Sequence, residues 1–195
     1  MGIRGSQSAS KNIIIPELVE MLGDREGKTT EPSELASTSL WALSKMAPES
    51  IVPLTHTFTN QDRITRMMGA GSLSLIGPKA KSAIPALKLL LKDKDVDVRL
   101  AAANALGKVG CNPDEFIDVV VDALRESSAS SDFLDFRLDI LVDYKEHAKS
   151  AIPVLLDMLK AVPESSNLTN MMDRQRLLGV IQQISPETIP KSKRE

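Results

Sequence analysis

Between Ile84 and Val109 the apolar residues fall at helical spacing. Ile84, Leu87, Leu90 and Leu91 stand at i, i+3, i+6 and i+7. A polar turn, Lys92-Asp93-Lys94-Asp95, interrupts the stripe. A second stripe follows, with Val98, Ala101, Ala102, Ala105, Leu106 and Val109 on one face. The pattern predicts two helices joined by a short turn. The first begins near Pro85, where a missing N–H costs nothing in a first helical turn. The second covers Val96–Val109 and stops at Gly110, as a glycine just past a helix end does.

The hairpin recurs along the chain. Ala80-Lys81-Ser82-Ala83-Ile84-Pro85-Ala86-Leu87 returns as Ala148-Lys149-Ser150-Ala151-Ile152-Pro153-Val154-Leu155, with seven of eight residues matching at an offset of 68. Two units of 34 make that offset, and Phe116-Ile117-Asp118-Val119-Val120 sits between the two copies. Upstream, Ile51-Val52-Pro53-Leu54 and Ile14-Ile15-Pro16-Glu17-Leu18 add two more. Pro16, Pro53, Pro85, Asp118 and Pro153 hold one register position, at spacings of 37, 32, 33 and 35. A period in the thirties with two helices per unit is the signature of an all-α solenoid, here of about five repeats. The second helix (B) of the other units is expected near Ser33–Met46, Asp62–Ile76, Asp132–Tyr144 and Asn170–Ile184. Turn formers cluster between elements, at Gly23–Pro32, Gly77–Lys81, Cys111–Pro113, Ser127–Ser131 and Pro163–Asn167. No strand pattern competes. The expected organisation is a flexible segment over 1–12, one solenoid domain over 13–186 and a basic tail over 187–195.

Composition narrows the classes. Hydrophobic residues make up 42% of the 195 and aromatics only 3%, so the interior must rest on aliphatic and small side chains. With 24 basic and 26 acidic residues the net charge is -2, which argues against a general nucleic-acid binder. No apolar run reaches the length of a membrane span, and the N-terminus lacks a secretory signal. Cys111 is the one cysteine, so no internal disulfide can form. A cytoplasmic protein without membrane contact is expected.

The run Ser82-Ala83-Ile84-Pro85-Ala86-Leu87-Lys88-Leu89-Leu90-Leu91-Lys92-Asp93, followed by Asp97-Val98-Arg99-Leu100-Ala101-Ala102-Ala103-Asn104-Ala105-Leu106-Gly107-Lys108-Val109-Gly110, resembles a HEAT repeat of the bacterial phycobilisome-lyase-like type. The resemblance extends from about Lys11 to Pro186. It implies a right-handed superhelix of the HEAT/armadillo kind and a binding scaffold. In such repeats an Asp at the inter-helix turn and an Arg on the second helix form a ladder between neighbouring units. Arg99 matches outright, Arg66, Arg137 and Arg174 hold the corresponding positions, and unit one has Ala36. Asp93, Asp95 and Asp97 are the acidic candidates, with Asp95 assigned to the ladder. The same resemblance raises a second role, a lyase-like or cofactor-chaperone subunit acting on a tetrapyrrole-bearing protein.

Little in the chain carries chemistry. His56 and His147 lie in units two apart, which do not touch in a solenoid, so a shared histidine metal site is not expected. Glu146-His147 is only superficially like the His-Glu pairs of iron-binding HEAT-repeat hydroxylases, which need several such pairs. Cys111 has no neighbouring base to activate it. Gly69-Ala70-Gly71 lacks the Lys-Ser/Thr of a phosphate loop. Lys191, Lys193 and Arg194 read as a solvated end. No catalysis and no cofactor are expected.

The partner is expected to be another protein. In HEAT-type solenoids the B helices line the concave face. If Val98, Ala102, Ala105 and Val109 point inward, Leu100, Ala103, Asn104 and Gly107 point outward. Carried along the repeats, that register gives a ridge less charged than a solvated face. Trp41, Met67, Leu100, Asn104, Leu138 and Val142 are the expected contact residues, Trp41 foremost because tryptophan is enriched at binding hot spots. A register error of one residue rotates a helix by about 100° and would return them to the core. The apolar start Ile13-Ile14-Ile15, with Leu18 and Leu22, leaves three readings: a cover by Met1–Asn12, end-to-end self-association, or a longer array.

Overall fold

The computed structural model describes residues 3–24, 33–126, 134–162 and 168–188. Among them every regular element is helical. The chain forms two compact units, Met1–Asn112 and Pro113–Glu195. The linkers at 127–131 and 163–167, and the tail lysines and arginine, lie outside the described residues.

The first unit holds α1 (Ile3–Met21), α2 (Glu34–Lys45), α3 (Ile51–His56), α4 (Arg63–Ile76), α5 (Ile84–Leu90) and α6 (Val96–Val109). Helix α1 pairs with α2, α3 with α4 and α5 with α6, while α2 packs on α4 and α4 on α6. The B helices start where their capping residues stand. Ser33 Oγ accepts from Ala36 N–H at 3.1 Å, Asp62 Oδ2 from Thr65 N–H at 2.9 Å, and Asp95 Oδ1 from Asp97 N–H at 3.0 Å. Each satisfies an amide that the first turn leaves without a partner. Helix α6 ends as Gly110 turns left-handed at φ 92°, and the next N–H, of Cys111, reaches back to the Leu106 carbonyl at 2.9 Å.

Pro53, Pro85 and Pro153 fall in the first turns of their helices, and Pro16 does not. Helix α1 begins at Ile3, within the segment read as flexible, and Pro16 lies deep inside it. The reason is local. No glycine or proline interrupts residues 6–15, so the helix extends upstream from its packed part. Lys11 Nζ meets Glu49 Oε1 at 2.8 Å and ties this stretch to the turn before α3.

Helix α4 carries Gly69 and Gly71 because its neighbours come close. A Cβ at 69 would strike the Thr57 hydroxyl and stand 3.3 Å from the Leu54 carbonyl; at 71 it would press on Leu40 Cδ1 at 3.3 Å. The α4–α6 seam is the most closely packed in the unit. Ala70, Leu73, Ala102, Ala103 and Ala105 are all fully buried there.

The second unit holds α7 (Ile117–Arg125), α8 (Leu134–Asp143), α9 (Ile152–Ala161) and α10 (Leu168–Ile184). Helix α7 packs on α8, α8 on α10 and α9 on α10. Phe116 and Tyr144 meet edge-on at 5.2 Å. The duplicated motif has one physical job in both units. It forms a 3-10 turn before the next helix, with Ala80 and Ala83 in one unit and Ala148 and Ala151 in the other buried to 1% or less.

Candidate protein-interaction face

In the first unit the B helices run parallel. Thr65, at the start of α4, lies against Gly23 in the α1–α2 turn, and Leu40 meets Gly71 further along. Between α4 and α6, ion pairs join the N-terminal ends, and Asn104 Nδ2 donates to Ser74 Oγ at 3.2 Å near the C-terminal ends. The helices therefore line up in rows. Asn104 on α6 faces Ser74 on α4, and Gly71 on α4 faces Leu40 on α2.

Trp41 is 60% exposed, with Lys45 Nζ 5.2 Å from its ring centroid. Met67 and Asn104 are half-buried on the same side, and Gly71, Ser74 and Gly107 keep the surface shallow between them. Leu100 does not belong to this surface. It is 1% exposed, and so is Leu138 on α8. Within its own unit α6 packs on both α4 and α5, and α8 on both α7 and α10, which leaves each only a narrow strip to solvent. On α8 that strip carries Asp139, Val142 and Asp143, one residue round from the expected register. Trp41, Met67 and Asn104 thus keep some exposure on successive B helices of the first unit, and Val142 lies half-buried on α8 of the second.

The arginine positions hold the turns. Arg66 is 4% exposed and fully engaged. Its Nε and Nη2 grip the two Asp93 carboxylate oxygens at 2.8 and 2.9 Å, and its Nη1 donates to the carbonyls of Asn60 and Gln61 at 2.9 and 3.0 Å. One guanidinium closes its own inter-helix turn and clasps the turn of the next unit. Arg63 Nη1 adds a second rung to Asp97 at 3.1 Å. Arg99 Nη1 donates to the Asp93 carbonyl at 3.0 Å, and Arg174 Nη1 to the carbonyls of Leu159 and Val162 at 3.0 and 2.9 Å. Arg137 is buried on α8.

Asp95 is not the acidic partner of this ladder. Its carboxylate is committed to the first amides of α6, which leaves Asp93, two residues earlier, to face Arg66. Burial pushes the Asp93 carboxyl up, but the bonds from Arg66 and the Asp95 N–H outweigh it and hold the group below its ordinary value.

Five exposed apolar side chains had no place in the sequence reading, Leu35 at 48% and Met172 at 64% among them. Leu75 is 57% exposed at the end of α4, and Val52 and Leu89 are 61% and 73% exposed on the A helices. Leu89 stands out of phase with the stripe Ile84, Leu87, Leu90 and Leu91, and that phase error was the available signal. Leu89 also borders a groove of about 270 Å³ with Phe58, Ala86 and Leu90. At the chain start, Ile15 and Leu22 are core, while Ile13 and Ile14 are 66% and 39% exposed.

His56 is exposed on α3, and His147 Nδ1 lies 2.6 Å from Asp114 Oδ1 in the second unit. Among the described residues, no group of three or more His, Cys, Asp or Glu could hold a metal ion. No helix there is long and apolar enough to cross a membrane.

Comparison with known families identifies the central hairpins. The family profile of HEAT repeats matches residues 54–132. Residues 54–132 carry HEAT repeats. The matched stretch contains the Arg66–Asp93 clasp and the α4–α6 seam, the HEAT pairing in its fullest form here. Among solved structures it is similar to a crystal structure of an engineered protein from the Northeast Structural Genomics Consortium, at 25% identity and a TM-score of 0.42, over 90% of this chain and 83% of that one. No curated protein matches the sequence.

Proposed function

We propose that this HEAT-repeat chain is a non-catalytic scaffold that binds another protein across the open side of α2, α4 and α6. The observation that carries the reading is Trp41. An indole 60% exposed on a packed helix, with Met67 and Leu75 on the next one, is apolar surface that folding leaves unused. Such side chains bring large contact area at small entropic cost, which is why they anchor interfaces. The small residues Gly71, Ser74 and Gly107 leave room for a partner's side chains beside the ring. Arg66, Arg99 and Arg174 offer no competing site, since their bonds to turns and to Asp93 account for them structurally.

The test is affinity capture from a native extract, with wild type beside Trp41→Ala and Leu75→Asp variants of unchanged helicity. A protein held by the wild type and lost by both variants supports the reading. A protein retained equally by all three would move the interface elsewhere.

A further inference from the structure

The seam between α4 and α6 shows what one hairpin of this chain presents to the next. From α4, Arg66 grips the Asp93 carboxylate, Arg63 reaches Asp97, and Ser74 meets Asn104. The receiving face of α6 is therefore Asp97, Leu100 and Asn104, two, five and nine residues after the cap Asp95, with Asp93 in the turn before it. The presenting face of α4 is Arg66 with Ala70 and Ser74, four and eight residues further on. Ala70 and Leu100 are buried in the seam, at 0% and 1% exposed.

The receiving face recurs on α2, where it is open. Two, five and nine residues after the cap Ser33 stand Leu35, Thr38 and Ala42. At about 100° per residue they lie on the side of α2 opposite Leu40, the residue that meets Gly71 of α4. Leu35 and Thr38 are exposed and Ala42 is half-buried. Asp24 precedes this helix as Asp93 precedes α6. It stands eight residues after Pro16, and Asp93 eight after Pro85. Each donates its N–H to the end of its A helix at 3.1 Å, Asp24 to the Met21 carbonyl and Asp93 to that of Leu90. Each carboxylate also accepts one local bond, Asp24 from Ser33 Oγ at 2.7 Å and Asp93 from the Asp95 N–H at 2.9 Å. Beside Asp24 lies a groove of about 480 Å³, lined by Glu17, Glu20, Met21, Gly23 and Leu35.

The presenting face recurs on α10. Arg174 bonds the Leu159 and Val162 carbonyls of its own turn, as Arg66 bonds those of Asn60 and Gln61. Leu178 and Gln182 follow it by four and eight residues, where Ala70 and Ser74 follow Arg66. Leu178 is half-buried and Gln182 exposed. The outer face of a terminal repeat is ordinarily polar, and Leu35 and Leu178 depart from that rule.

We propose that the occupant of the α2 face is a second copy of this chain, docked head to tail. Helix α10 of one copy lies against α2 of the next, Arg174 clasps Asp24 as Arg66 clasps Asp93, and Leu178 covers the exposed Leu35. Complementarity selects this occupant, because the chain carries both halves of a junction whose closed form stands between α4 and α6. The contact is heterologous, so an associated pair keeps one face of each kind for further copies. Trp41 belongs to neither face.

The test is analytical sedimentation of the full chain from micromolar to millimolar concentration. Wild type should associate reversibly. Asp24→Arg alone, or Arg174→Asp alone, should weaken association at least about tenfold. Mixing the two variants should restore it, because the Arg174 end of the first meets the Asp24 end of the second. Arg174 also holds its own turn, so Leu35→Asp and Gln182→Asp, both at exposed positions, supply variants that spare the fold. Each should weaken association in the same direction. A chain that stays monomeric throughout would overturn the inference. Association that survives all four substitutions, or that Trp41→Ala alone abolishes, would overturn it too. So would folded Asp24→Arg and Arg174→Asp chains that fail to complement each other when mixed.

Discussion

The two edges of the first unit carry similar charge in different states. At the N-terminal edge of α4 and α6, Arg63 and Arg66 meet Asp97 and Asp93, and the turn carbonyls fill the remaining donors. At the C-terminal edge stand Lys45, Lys79, Lys81 and Lys108. Basic residues at one edge stabilise the stack. Those at the other lie exposed to solvent. The contrast continues between units. The first carries 14 basic and 11 acidic residues and the second 10 and 15.

The largest effect expected concerns a residue on neither edge. Leu100→Asp places an unpaired carboxylate at a position 1% exposed and should cost about 4 kcal/mol or more, read as a collapse of the urea midpoint. Trp41→Asp on the same side should shift that midpoint little. Next, Arg66→Ala strands the Asp93 carboxylate and two turn carbonyls in a site where the side chains are 4% and 10% exposed, and about 3 kcal/mol of stability should be lost. If Arg66→Ala proved neutral, the structural reading of that edge would fail.

The same pair gives a pH signature. The Asp93 carboxyl is held below its unfolded value in the folded chain, so the stability it contributes is present above that unfolded value and lost as pH falls through the lowered one. Acid unfolding of wild type and Asp93→Asn should converge at low pH and separate at neutral pH, with wild type the more stable. The smallest effect belongs to the other edge. Lys79→Glu with Lys81→Glu should change stability by no more than about 0.5 kcal/mol, as fits surface charges outside any clasp.

Much of this fold could be read from residue patterns, because its devices are local. Ser33, Asp62 and Asp95 announce helix starts, Gly110 a stop, and the Ala80–Ala83 motif a buried turn that repeats at Ala148–Ala151. Burial on the B helices was less legible, because neighbours decide it. Met67 and Leu100 lie on adjacent helices, yet one is half-buried and the other 1% exposed. On α8, Asp139 and Asp143 marked the solvent strip and could have corrected the placement of Leu138. Within the ladder, Asp93 and Asp95 are both plausible by spacing. Only the capping geometry of α6 assigns Asp95 to the helix and Asp93 to Arg66.

The central claim, that the open side of α2, α4 and α6 meets a protein partner, is tested most directly by site-specific photocrosslinking. A benzophenone side chain would be placed in turn at Trp41, at Leu75 and, on the A helices, at Val52 and Leu89, and each protein irradiated in native extract. The expected result is one shared polypeptide crosslinked from 41 and 75 and absent from 52 and 89. Crosslinks arising chiefly from 52 and 89, beside the Phe58–Leu89 groove, would contradict the account and place the interface on the A helices.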